Sequence, residues 1–168
     1  MTHNVLVLID TPMPALRSAA AELLTLANQI GTPVVVALEP LGAQVLAELA
    51  EYGVARVLVA NVVGDASPYL TPVAAEAIAH AVTATNARAV LASPTFQNKE
   101  ITARLAHAIG AGLVVDTVTV GLEGDSFIGY KRVFAGSWDV DCEVITPVAV
   151  ATVRANAVIP VKPATGAT

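Results

Sequence analysis

The stretch ASPTFQNKEITARLA, residues 92–106, holds the side chains best suited to chemistry. An apolar segment, 89–92, runs through a polar turn, 95–100, into an amphipathic segment. In a parallel α/β protein, the carboxyl end of a strand followed by a helix start is where anions and nucleotides bind. Backbone N–H groups at 97–100 would be free there, and the helix dipole adds partial positive charge. The hydroxyl of Thr95, the amide of Asn98 and the ammonium of Lys99 are the candidate cofactor or anion contacts. Against this, Glu100 can itself satisfy the dipole, and Asn98 can cap the helix without any ligand. The turn is therefore either a loosely held anion site or an empty corner.

Other reactive residue types are scattered. Asp10 ends the first apolar run, as a ligand contact or as part of a helix start. Asp116 interrupts an apolar strand and needs buried partners or a cofactor. Cys142 lies between Asp141 and Glu143, acidic neighbours that disfavour a thiolate nucleophile. Of His3, His80 and His107, only His80 has a partner at helical spacing, Glu76, and no third ligand completes a metal site. No GxGxxG or GxxxxGK[ST] follows the first strand, where the chain reads LIDTPMPALRS. The GAG at 110–112 follows a helix and reads as a helix stop.

The elements that must position these residues alternate in type over the first two thirds of the chain. Residues 4–9 (NVLVLI), 33–38, 56–60 and 89–92 are short, nearly continuous apolar runs, as in parallel strands buried on both faces. Between them, Leu16, Ala20, Leu23, Ala27 and Ile30 form one helical stripe, with Pro14 expected in its first turn and Gly31 as its stop. Helices are also expected over 42–52, over 71–85, and around Ile101, Leu105, Ala108 and Ile109. After Gly110 the pattern changes. Segments 113–120, 126–134, 137–145 and 148–154 follow closely, rich in β-branched residues and separated by turn chemistry. The expected fold is an α/β Rossmann-like layer sandwich, its mostly parallel sheet extended at one edge by antiparallel strands between 113 and 154.

The 168 residues suffice for one domain with a sizeable core. Hydrophobic residues make up 55% and charged residues 14%, and mean hydropathy is +0.65, so burial against a partner is expected. No apolar run is long enough for membrane insertion. A net charge of −5 argues against nucleic acid as partner. The N-terminus has no basic region ahead of its apolar run, so no signal peptide is expected, and the single cysteine fits a cytoplasmic location.

SPTFQNKEITARLAHAIGAGLVVDTVTV resembles a stretch of the alpha subunit of electron transfer flavoprotein, with Phe96, Lys99, Arg104, Ala106 and Asp116 at matching positions. GYKRVFAGSWDVDCEVITPVAVATVRANAV is similar to that family's second signature, through Lys131, Arg132, Phe134, Ala135, Gly136, Val153 and Arg154. The chain departs from the family where Gln97 and Asn98 separate Phe96 from Lys99, at Ala103, and at Ser137 and Trp138. The resemblance spans residues 4–158. It implies an N-terminal-type alpha domain over 1–158, with 159–168 as a linker or tail. It further implies a non-catalytic role beside a beta subunit, FAD in the full complex but none on this chain alone, and possible self-association. Electrons would pass from dehydrogenases to a quinone-linked acceptor. The competing expectation is a stand-alone nucleotide-binding α/β module.

Overall fold

The computed structural model describes residues 3–11 and 13–164. Six strands form one parallel sheet: β1 (Asn4–Ile9), β2 (Thr32–Ala37), β3 (Val57–Val59), β4 (Ala87–Ala92), β5 (Gly112–Thr117) and β9 (Ala149–Val153). Their order is β3-β2-β1-β4-β9-β5. Helices α1 (Ser18–Ile30) and α2 (Ala43–Glu51) cover one face, and α3 (Thr71–Thr85) and α4 (Phe96–Ile109) the other. Strand side chains alternate between faces, so Val5, Val7 and Ile9 enter the first core while Leu6 and Leu8 enter the second. Covering both faces explains why these strands read as unbroken apolar runs.

The last third differs from the expected edge extension. Strands β6 (Thr119–Glu123), β7 (Ser126–Val133) and β8 (Trp138–Val144) form a separate antiparallel sheet. It packs on the α1 side, where Val120, Phe127 and Val144 join the first core. β9 then returns to the parallel sheet between β4 and β5. All five of its residues are buried, so its place is the sheet interior. Parallel neighbours need a crossover connection, and between β5 and β9 the small sheet supplies it. The run expected as one strand over 113–120 is interrupted at Val118, directly after an irregularity in β5 where Asp116 takes a left-handed conformation (φ 57°) and the register with β9 shifts.

Two helix starts also differ from the sequence reading. α1 begins at Ser18, leaving Pro14 in the preceding loop. α4 begins at Phe96, so residues 96–100 are helix rather than turn. Where the stop is a left-handed cap the reading holds, as at Gly110 (φ 64°), whose N–H donates to Ala106 O.

After β9 the chain lies along α1. The Ala157 N–H donates to Glu22 Oε2 (3.3 Å), the Val161 N–H donates to Thr25 Oγ1 (2.9 Å), and Lys162 pairs with Glu51. Residues 165–168 of the expected linker or tail lie outside the described residues.

Candidate functional site

In the sheet order, β1 has β2 on one side and β4 on the other. The chain winds outward from β1 through β2 to β3, then returns to its other side at β4. The carboxyl ends of β1 and β4 therefore flank the topological switch point, where open α/β sheets bind ligands. Asp10 follows β1 and Ser93 follows β4. Between them stands Asn98, fully buried in the first turn of α4. Its amide nitrogen donates to Asp10 Oδ2 at 2.7 Å and to Ser93 Oγ at 2.8 Å. The position a ligand would take is thus bridged by the protein's own side chain.

The helix cap is Thr95, not Asn98 as the sequence reading allowed. Thr95 Oγ1 accepts from the Asn98 N–H at 3.1 Å, and Thr95 O accepts from the Lys99 N–H at 2.9 Å. With the helix starting at Phe96, the N–H groups of Phe96 and Gln97 are those left without an acceptor among the described residues. Lys99 points away from the crevice and donates to Asp116 Oδ2 at 2.8 Å, both side chains being about one third exposed. Such a pair is worth little to stability. Its geometry has a use, since the Asp116 N–H also donates to Thr152 Oγ1 (2.9 Å). Asp116 thereby joins β5, β9 and α4 just before the chain leaves for the second sheet at Val118. Thr95, Asn98 and Lys99 share one helical turn, and each side chain is engaged within the protein.

Around this turn, α3 and α4 are tied at their starts. Gln97 Nε2 donates to Tyr69 O (2.7 Å), Thr71 Oγ1 donates to Glu100 Oε1 (3.2 Å), and Arg104 pairs with Glu100. The Arg104 guanidinium, then the Thr71 bond, hold the Glu100 carboxyl below its ordinary range. Two buried polar atoms among the described residues have no partner, Asn98 Oδ1 and the Tyr69 hydroxyl. Burial pushes the Tyr69 phenol up to about 12; the carboxylates of Glu39, outside hydrogen-bonding geometry, and of Asp10 add to this. Because burial resists the charged phenol, the folded state keeps its proton beyond the unfolded value near 10, and stability falls as pH climbs from there towards 12. Tyr69→Phe is therefore expected to be no less stable than wild type at pH 7, because the buried hydroxyl has no bond to lose. It is also expected to unfold less readily than wild type at pH 11. Urea melts at the two pH values check both, and a variant weaker at pH 7 refutes the unpartnered hydroxyl.

The remaining sequence candidates do not assemble. His80 and Glu76 form a long, exposed contact at 3.9 Å, and no group of three metal-ligating side chains occurs among the described residues. Cys142 is half-buried on the inner face of β8, while Asp141 and Glu143 alternate to the outer face. No helix of the described residues is long and apolar enough to cross a membrane. Sequence reasoning missed Ser93, Tyr69 and the contact between Asn98 and Asp10. The available signal was that Asp10 and Ser93 each end an apolar strand, but nothing local links positions 88 residues apart.

Fold and site together define a doubly wound α/β domain whose switch point is closed by an internal amide bridge. The chain belongs to the electron transfer flavoprotein domain family, whose family model matches residues 5–168. It is 36% identical over 167 residues to the electron transfer flavoprotein subunit alpha of Mycobacterium tuberculosis, covering 98% of this chain and 51% of the relative. It is likewise 36% identical over 164 residues to the subunit of that name from Mycobacterium leprae, covering 96% of this chain and 50% of the relative. The chain thus spans about half the length of the curated relatives it matches.

Proposed function

We propose that this chain is the non-catalytic, N-terminal-type domain of an electron transfer flavoprotein alpha subunit. It pairs with a beta subunit in the cytoplasm and supports FAD-dependent electron transfer from dehydrogenases to a quinone-linked acceptor. The observation that carries the scaffold reading is the Asn98 bridge between Asp10 and Ser93. FAD does not fit the switch point, because the bridge fills it and no glycine-rich cradle approaches it. In this reading Thr95 caps α4, Asn98 closes the crevice and Lys99 braces the β5 irregularity, and flavin is held elsewhere in the assembly.

The test is the flavin content of the purified chain, alone and with a beta-type subunit. Alone, it is expected to be colourless, with little rise in melting temperature on adding FAD, since a ligand stabilises only well above its dissociation constant. It is expected to co-purify with the beta-type subunit. Stoichiometric flavin on the chain alone would sink the scaffold reading. The nucleotide-binding alternative draws on the two unpartnered buried atoms near the switch point. It predicts a large thermal shift with AMP or ATP, where the scaffold reading predicts none.

A further inference from the structure

β5 ends the parallel sheet, and its outer edge has no neighbouring strand among the described residues. β7 packs over it, since a Cβ on Gly129 would lie 2.9 Å from Val114 Cγ1. β8, the next strand out, overhangs that edge. Between them runs a groove of about 330 Å³, lined by Leu113, Val115, Lys131, Cys142 and Ile145 among others. On β8, every second residue faces the same way as Cys142, so the inward stripe continues from Val144 through Val140 to Trp138. Exposure rises along it, from 8% at Val144 to 37% at Val140 and 65% at Trp138, and Ile145 beside it is 90% exposed. The core face of the small sheet thus runs past the body that should cover it. An unpaired strand edge under an apolar overhang has the form that takes up an added strand.

We propose that the groove between β5 and β8 is the docking surface for an extended segment of the beta-type partner subunit, with apolar side chains in the groove and a carboxylate against Lys131. This rests on the function proposed above and names its interface. Two observations favour a separate polypeptide. After β9 the chain runs along α1 to Glu51 and Gly53 at the end of α2, on the β2–β3 side of the sheet, the edge opposite β5. Lys131 is the one cation lining the groove in a chain of net charge −5, and it forms no ion pair among the described residues.

The experiment is titration of the purified 168-residue chain with the purified beta-type subunit of the same organism. Trp138→Ala combined with Ile145→Asp is expected to raise the dissociation constant roughly thirtyfold or more, as for a buried aromatic anchor. Lys131→Glu is expected to weaken binding and to slow association. Val63→Asp, equally exposed at 91% but beyond β3 at the other edge, is expected to bind as wild type. These side chains are exposed or half-exposed, so circular dichroism and melting temperature are expected to stay near wild type. The proposal is overturned if the double variant binds unchanged, if Val63→Asp is the variant that loses binding, or if the chain alone forms a dimer that Ile145→Asp dissociates. Wild-type binding with unchanged variant binding overturns this interface alone. Failure of the wild-type chain to bind overturns the proposed function with it.

Discussion

Gly31→Ala is expected to destabilise the protein by about 3–5 kcal/mol, lowering its melting temperature by roughly 10 °C. Gly31 stands where α1 ends and β2 begins. Its backbone is extended, with φ 171°, so conformation alone would admit any residue. The demand comes from contact. A Cβ would sit 2.2 Å from His3 O and 2.9 Å from Val5 Cγ2. His3 O is itself fixed, accepting from the Thr32 N–H at 2.8 Å where β1 and β2 first pair. Since the clash is with backbone, no rotamer change relieves it, and β1 would have to part from β2. Gly42→Ala supplies the control, because nothing lies within 4 Å of its added Cβ and its cost should be small. Equal melting temperatures for the two variants would refute the close approach.

The sequence reading found Gly31 as a helix stop but not the reason that only glycine fits there. A stop is a local property, whereas the contact with His3 is between strands. The same distinction runs through the fold. β1 and α3 were legible to within a residue or two, because burial on both faces or on one stripe writes its period into neighbouring residues. The irregularity at Asp116 was not, since its left-handed conformation is held by Lys99 and by Thr152, which lies 36 residues away. Nor was the insertion of β9 between β4 and β5. The pattern AVATV says that a strand is buried on both faces, not which strands flank it.

The candidate site shows the same limit. The stretch 95–100 was read as a turn leading into a helix at a strand's carboxyl end, and all of it but Thr95 is already helix. Thr95 and Asn98 are both good cap residues, three positions apart, and local chemistry does not choose between them. Tertiary structure chooses. With Thr95 as cap, Asn98 falls one turn in and faces the sheet, where Asp10 and Ser93 wait for a donor. The family resemblance located this turn but not the role of Asn98, which occupies a place where the chain departs from the family pattern.

Asn98→Ala is accordingly expected to cost about 3 kcal/mol and roughly 6–12 °C in melting temperature. The change removes two donated bonds, one of them to a carboxylate, and leaves a gap at the junction of β1, β4 and α4. Thr95→Ala removes only the cap and should cost about 1 kcal/mol. Asn98→Asp keeps the size but replaces the donor by a like charge beside Asp10, so at pH 7 it should be less stable than Asn98→Ala. This ordering separates the bridge from a mere packing role, in which the near-isosteric change would be the milder one. The same variants probe the proposed function. If the amide closes a crevice that once could admit a ligand, Asn98→Ala opens it, and melting curves with and without AMP or FAD read the result. The scaffold reading expects the variant to stay unresponsive to both, because Glu39 and Asp10 make the corner acidic and no glycine-rich loop follows β1. A thermal shift of several degrees with either ligand would show a nucleotide site that the bridge merely covers.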